Sequence, residues 1–345
     1  NAWWRQLNDA TLSALIDSAV SGNLDLQSAQ SRVRQARAQR GVINADRYPA
    51  LSAVAGASST HTDANSSELY NAGLDASWEL DLFGGKRRAT EAASAEVQAS
   101  EAELRDVLVT LLADVALAYL DVRVYQARLA SAEASLANQL EALDLARWRA
   151  QAGLVTQLDV EQAQYAADQT RAQMPVLRSG LQQSLHRVAV LLGQTPGSVQ
   201  QQLATAAPIP AAPDSLLVGV PASALQQRPD VRQAERLLAA QTAQVGVATA
   251  ALYPSLNLNG SIGVEALSAG DLFDSGSGIS TLAGQLAQPL FNAGKLRRAV
   301  DVQEERLQQA HLAYRSTVLG ALEETENALV SYVNEHQHRD ALRSA

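Results

Sequence analysis

Few residues in this chain are of types that do chemistry, and their spacing argues against a reaction centre. His336 and His338 are two apart, which on a helix turns their rings to different sides, so they do not converge on one metal ion. Glu79 and Asp81 are spaced to share one face of a strand, as a carboxylate pair for acid–base work would be. Trp78, Leu80 and Leu82 occupy the other face, and that combination reads better as the wet wall of a barrel. Ser277 lies between Gly276 and Gly278 but lacks the strand-to-helix context of a nucleophile elbow. No phosphate loop or dinucleotide fingerprint is present. The chain has no cysteine, which excludes thiol nucleophiles, cysteine-ligated zinc and disulfides. The expectation is a protein that is not an enzyme, with no cofactor and no metal.

Composition sets the class of scaffold. Of 345 residues, 47 % are apolar but only 4 % are aromatic, so rings do not fill a thick globular core; Ala-, Gln- and Arg-rich stretches suit long close-packed helices. A net charge of −9 argues against nucleic acid as a partner. No stretch approaches the ~18 apolar residues of a membrane-spanning helix, so a spanning structure has to be a barrel. The first residue is Asn1, which reads as a chain without its processed leader, and export is inferred.

The chain is internally duplicated. Gly41-Val42-Ile43-Asn44-Ala45-Asp46-Arg47-Tyr48-Pro49-Ala50-Leu51 matches the segment Gly246 to Leu256, which ends Leu252-Tyr253-Pro254-Ser255-Leu256. Leu82-Phe83-Gly84-Gly85-Lys86-Arg87-Arg88 matches Leu290-Phe291-Asn292-Ala293-Gly294-Lys295-Leu296-Arg297-Arg298. Lys86 and Lys295 are the only lysines, and they stand at equivalent places. Pro196, Pro208, Pro210, Pro213, Pro221 and Pro229 mark irregular connecting structure between the copies. Counterparts of residues after about Ser135 would lie beyond Ala345, so the chain is expected to be a fragment.

Each copy reads as helix, hairpin, helix. Asp25 to Asp46 is helical in composition, and Pro49 ends the helix. From Gly73 the pattern alternates: Leu74, Ala76, Trp78, Leu80 and Leu82 are apolar, Asp75, Ser77, Glu79 and Asp81 polar, the period of a strand with one greasy and one wet face. A partner run starts at Leu51, across a polar tip from His61 to Ser67. In the second copy Leu256, Leu258, Ile262 and Val264 alternate with polar residues and glycine, and Leu282, Leu286 and Leu290 follow a Gly/Ser-rich tip from Ser268 to Ser280. Four strands of about ten residues are expected, the length of outer-membrane barrel strands.

The following helix carries the strongest periodicity. Leu104, Leu108, Leu111, Val115, Ala118, Val122, Tyr125 and Leu129 are spaced 4-3-4-3-4-3-4, an unbroken heptad seam. Neither Gly nor Pro interrupts Lys86 to Gln151, which at ~1.5 Å per residue predicts a helix about 100 Å long. Gly153 stops it in the left-handed conformation. Thr156 caps a return helix with Asp159 in its first turn, where an acid complements the dipole. The result is an antiparallel helical hairpin with a tight apolar tip.

Four strands cannot close a sheet, and an open edge cannot exist in lipid, so the barrel has to be shared between chains. Two copies give about eight strands and a filled interior; three give about twelve and a pore, and strand counting does not separate three copies from four. Helices of ~100 Å must project beyond a hydrocarbon core of about 30 Å. Lys86, Arg87 and Arg88, with Lys295, Arg297 and Arg298, stand where strand gives way to helix. Cations there oppose the dipole, so contact with lipid phosphates, or with Glu79 and Asp81 at the membrane's inner edge, is expected to favour them; a solvated basic turn is the plain alternative.

Trp3-Trp4 with Leu7, Leu24-Asp25-Leu26, Trp78-Glu79-Leu80-Asp81-Leu82-Phe83-Gly84, Gly153-Leu154-Val155-Thr156 with Leu158-Asp159-Val160, and Arg228-Pro229-Asp230-Val231 leading to Tyr253-Pro254 resemble the TolC-like outer-membrane factors over essentially the whole chain. Within that family the likeness is to the outer-membrane lipoprotein branch serving resistance-nodulation-division efflux pumps. The lipid-bearing cysteine of that branch is not among these residues.

The resemblance implies an α+β membrane protein of a Gram-negative bacterium. It implies a homotrimer whose twelve-stranded outer-membrane β-barrel, four strands per chain, continues into a long periplasmic α-helical barrel. Residues 1–22 and 194–229 would form an equatorial collar. Residues 23–47, 86–193, 230–252 and 294–345 would form the α-barrel, and 48–85 and 253–293 the β-hairpins. It further implies the exit duct of a tripartite efflux or type I secretion-like system for multidrug resistance, with a periplasmic adaptor, an inner-membrane pump and outer-membrane lipid as partners. Ala152, Gly153, Leu154, Val155 and Thr156 resemble the adaptor-contact tip, and Asp159 an acid near the periplasmic constriction. A soluble periplasmic coiled-coil adaptor or spacer is the competing reading. It would not need two alternating hairpins at duplicated positions.

Overall fold

The computed structural model describes residues 2–63, 66–211 and 227–344. Pro213, Pro221 and the tip residues Ala64 and Asn65 lie outside them, as does part of the expected collar segment 194–229. In chain order the helices are α1 (Ala10–Gly22), α2 (Leu24–Ala45), α3 (Gly85–Gln151), α4 (Gln157–Leu191), α5 (Pro229–Ala250) and α6 (Lys295–Ser344). The strands are β1 (Ala50–His61), β2 (Ser66–Leu80), β3 (Ser255–Ala266) and β4 (Gly278–Ala287). Duplication is exact in length where it is clearest: α2 and α5 have 22 residues each, β1 and β3 have 12 each. The chain divides into two compact units, Asn1–Gln30 with Leu104–Val218, and Ser31–Glu103 with Gly219–Ala345.

The first unit is a helical core. Asp9 caps α1, its carboxylate accepting from the Leu12 N–H at 2.9 Å, which satisfies one of the orphan donors of a helix start. Leu12, Leu15, Ile16 and Ala19 form one face of α1 and are fully buried. They meet Leu111, Val115, Ala118, Tyr119 and Val122 of α3, Leu185, Val188 and Ala189 of α4, and Val199 and Leu203 beyond it. The middle of the heptad seam is thus core, with Leu104 and Leu108 packed against it. Helix α1 is a finding: segment 1–22 reads in sequence only as collar. Asn23 ties the helix ends together, its amide donating to the Leu191 carbonyl and its oxygen accepting from the Leu26 N–H, both at 2.9 Å. Gly193, at φ 72°, sits so close to Gly22 that an added Cβ would stand 2.2 Å from the Gly22 carbonyl oxygen, an approach only glycine permits. Pro175 lies within α4, whose helix continues past it despite the lost N–H.

The second unit contains an antiparallel sheet in the order β1-β2-β3-β4. The register places Leu51, Ala76, Gly260 and Leu282 in one row, and Leu80, Leu256 and Leu286 in another. Most intervening rows are polar, such as Ser52, Asp75, Ser261 and Thr281, with the row Val54, Gly73, Gly263 and Ile279 as an exception. Opposed residues in a ladder share a face, so the sheet has one apolar and one polar side, as alternation predicts. Three details differ from expectation. β1 and β2 run into the expected polar tip, to His61 and from Ser66, because ladder bonds continue between polar residues. Leu290 lies past the end of β4, and Asp81 and Leu82 past the end of β2.

Candidate functional site

The tip after α3 is built as its residue types require. Gly153 has φ 71°, the Leu154 N–H donates to the Arg149 carbonyl and the Gly153 N–H to that of Ala150, both at 2.9 Å. This pair of bonds closes the last turn as a Schellman motif. Thr156 and Asp159 then form a capping box for α4: the Asp159 carboxylate accepts from the Thr156 N–H at 2.8 Å and from its hydroxyl at 2.7 Å. The Thr156 hydroxyl, then its backbone N–H, hold the Asp159 carboxyl below the usual carboxylate range. Between these two stops, Leu154 is 74 % exposed, with Leu158 and Trp148 also exposed. The five residues Ala152 to Thr156 therefore present an apolar knob on a rigid turn.

At the first strand-to-helix junction Lys86 and Arg87 have carboxylate partners. Asp81 reaches over the start of α3, and its two carboxylate oxygens accept from the N–H groups of Lys86 at 3.2 Å and Arg87 at 2.9 Å. Burial raises the pKa of this carboxyl, but the two N–H bonds and the Arg87 charge outweigh it and hold the group below its ordinary value. Asp81 is thus a helix cap and not a strand residue. Lys86 pairs with Glu79 at 2.9 Å and Arg87 with Asp81 at 3.3 Å, so the carboxylates offset the unfavourable dipole. Arg88 pairs with Glu91, and Arg298 with Asp301, within their own helices. Beside this junction lies a cavity of about 450 Å³ bordered by Ile43, Glu79, Phe83, Lys86, Tyr253 and Pro289 among others.

The apolar face of the sheet carries aromatic residues at both ends. Tyr70 and Trp78 share a face of β2 eight residues apart, about 27 Å along a strand. A tilt of about 40° reduces that to about 20 Å, the order of the ~25 Å apolar band between the aromatic girdles of outer-membrane barrels. The Trp78 indole donates to the Arg47 carbonyl at 2.9 Å, and Phe83 stacks on Tyr253 with centroids 4.8 Å apart.

Two charged clusters escaped the reading of the sequence. Arg123 is buried at 3 % exposure. It donates to the Tyr119 hydroxyl at 3.0 Å, to Gln126 at 2.8 Å and to the Thr205 carbonyl at 2.8 Å, while Tyr119 donates to Asp9 at 2.5 Å. One guanidinium so pins α3 to the segment before α1 and to the stretch after α4. Burial, then the bond to Asp9, raises the Tyr119 pKa. At the start of α5, Arg228 forks onto Asp230 and reaches Glu324 on α6. The Arg228 guanidinium holds the Asp230 carboxyl below the usual range. The sequence signal for the second cluster was Arg228-Pro229-Asp230 at a helix start; the first had none, since a lone arginine does not announce its partners. Among the described residues no group of three or more metal-binding side chains converges.

Comparison with known proteins agrees with this geometry. The family described as outer membrane efflux protein matches residues 15–194 and 220–344, one stretch in each copy. Nodulation protein T of Rhizobium leguminosarum bv. trifolii is 35 % identical over 99 % of this chain and 74 % of its own length. The solvent efflux pump outer membrane protein SrpC of Pseudomonas putida is 32 % identical, covering 94 % of this chain and 70 % of its own. The solved outer-membrane channel OprN superposes with a TM-score of 0.94 at 36 % identity, over 97 % of this chain and 77 % of that one.

Proposed function

The chain belongs to the outer membrane efflux protein family, and from that premise we propose that three copies of it form a passive exit duct opened at its helical tips. It is an outer-membrane component of an efflux system, with a four-stranded contribution to a barrel and long helices. The soluble spacer reading is set aside, since the relatives and the solved neighbour are outer-membrane proteins.

The observation that requires several copies to share one barrel is the sheet itself. Every residue of β1 and β4 is exposed in the single chain, one face is apolar, and both edges are open. Lipid offers no partner for an unpaired backbone group, so the edges of successive copies have to meet. About twelve strands leave a lumen, whereas about eight would be filled. The polar rows, with Asp75 and Glu79, line that lumen and the leucine rows face lipid. Residues 1–22 with 194–229 serve as the collar, and the long helices extend into the periplasm.

The exposed knob from Ala152 to Thr156 is the adaptor-contact tip. Its fixed turn presents Leu154 at little entropic cost, as a docking anchor requires. An inner-membrane pump acts through that adaptor. Asp159 stands at the same end as the gate, its carboxylate held by the Thr156 N–H and hydroxyl of the capping box. Lys86, Arg87, Arg88, Lys295, Arg297 and Arg298 mark the inner membrane edge, where lipid phosphates lie. The channel performs no covalent chemistry: adaptor and pump bind the open arrangement of the hairpins more tightly and shift the population toward it.

Reconstitution into planar bilayers tests the reading. The expected outcome is a low closed-state conductance that rises in Asp159→Ala; an unchanged conductance removes Asp159 from the gate. A purified wild-type protein that stays monomeric in detergent removes the duct altogether.

A further inference from the structure

The two strand-to-helix junctions of the chain are duplicates, yet only one of them is complete within it. In the first, Phe83 stacks on Tyr253 at 4.8 Å, and Lys86 pairs with Glu79 at 2.9 Å. Gly85 lies against the end of α5, an added Cβ coming within 3.2 Å of the Ala250 Cβ. The start of α3 in the first copy therefore seats on the Ala250-to-Pro254 segment of the second copy, beside the β2–β3 ladder. In the second junction the duplicates stand open. Phe291 is 91 % exposed against 47 % for its counterpart Phe83, and Tyr48 63 % against 50 % for its counterpart Tyr253. Lys295, Asp46 and Pro49 are exposed too.

The charges differ between the copies in a complementary way. Glu79, which holds Lys86, has Ala287 as its counterpart, so Lys295 has no carboxylate on its own strand. The counterpart of Ala251, at the end of the helix that seats against Lys86, is Asp46. The carboxylate absent from the strand side of the open junction is thus present on the helix side, in the half of the chain that a second copy would bring.

Resting on the trimer proposed above, we propose that the β4–α6 junction of one copy docks on the α2–β1 junction of the next, with Phe291 stacked on the partner's Tyr48 and Lys295 paired with the partner's Asp46. This contact sets the strand register between copies. Within the chain Leu80 is opposite Leu256, and carrying that pairing through the alignment of Phe83 with Phe291 and of Tyr48 with Tyr253 puts Leu286 opposite the partner's Ala53 and Gln285 opposite the partner's Val54. The parity of this register passes an independent check. Leu286 lies on the apolar face, and so does Ala53, opposite Leu74. A slip of one residue would turn every apolar side chain to the wrong side.

These 345 residues contain no cysteine, so each cross-link within them comes from the introduced pair. Two double variants, Ala53→Cys with Leu286→Cys and Val54→Cys with Gln285→Cys, cover both kinds of ladder pair. Two controls, Ala55→Cys with Leu286→Cys and Gly56→Cys with Gln285→Cys, are displaced by two residues, where the Cβ atoms are too far apart for a disulfide. After mild oxidation of the full chain in detergent, at least one of the first pair is expected to run as covalent dimer and trimer on a non-reducing gel, and the controls as monomer. Cross-linking of the controls instead, or of none of the four while the protein is oligomeric in detergent, overturns the register and leaves the duct standing; a monomeric wild-type protein overturns both. Separately, Asp46→Lys and Lys295→Asp are each expected to reduce the oligomer that survives a fixed SDS concentration, and their combination to restore it. A double exchange no better than either single one overturns the ion pair.

Discussion

The helical core around Leu15 and Tyr119 and the four-stranded sheet use similar apolar side chains under opposite conditions. Leu12, Leu15 and Ile16 have no exposed surface within a single chain, whereas Leu282 is 86 % and Leu286 67 % exposed. The core residues are covered by α3 and α4 of the same molecule, and the hydrophobic effect holds them there. The sheet residues are covered by nothing the chain supplies. For them lipid is the solvent, and a leucine side chain is no more at home against protein than against an acyl tail. Burial in one chain thus measures self-sufficiency: the core around Leu15 has it, and the sheet depends on a bilayer and on further copies.

That contrast is testable, beginning with the largest effect. Arg123→Ala leaves the Thr205 carbonyl, Gln126 and the Tyr119 hydroxyl without their shared donor, and a loss of about 3–5 kcal/mol is expected in denaturant unfolding of the helical unit. A loss below about 1 kcal/mol would mean that water takes the place of the guanidinium. Leu15→Ala should cost about 2–5 kcal/mol through the cavity it leaves, while Leu282→Ala should cost under about 1 kcal/mol because lipid closes around the smaller side chain. Equal costs for the two would break the comparison. Leu282→Arg sharpens it, with an expected penalty of about 2–4 kcal/mol in refolding into lipid vesicles if the residue lies near the bilayer midplane.

Smaller effects belong to the helix ends. Gly153→Ala forces a Cβ into the left-handed region at a cost of about 1 kcal/mol, and Thr156→Ala removes a cap of similar worth. Both should appear as faster amide exchange in the tip with the core unchanged. The smallest effect is pH-dependent. The folded Asp230 carboxyl titrates below its unfolded value of about 3.9, so its contribution is complete above about pH 4 and is lost as pH falls through the folded value. Thermal melts between pH 3 and 6 should therefore show a steeper acid decline in the wild type than in Asp230→Asn.

Much of the architecture was legible in residue order. The seam from Leu104 to Leu129, the stop at Gly153, the cap at Thr156 and the alternation through Trp78 are local patterns, and local backbone geometry reads them directly. Helix α1 is less legible, although Asp9 before Leu12, Leu15, Ile16 and Ala19 is a cap followed by an apolar face, because one short amphipathic segment carries few periods of its pattern. Asp81 was placed on a strand because alternation continued through it, but the chain turns at Leu80 and the carboxylate is taken by the N–H groups opening α3. The Arg123 cluster is invisible in the sequence, since Asp9, Leu203 and Thr205 join it only when the chain returns.

By itself the sequence determined the periods, the stops and the duplication, because each depends on neighbours along the chain. Only the tertiary structure decided which apolar residues the chain covers and which it leaves to lipid, which carboxylate meets which cation, and which of two duplicated junctions is complete. Those outcomes depend on where distant segments come to rest, and a charge or a ring carries no local mark of the partner it will find there.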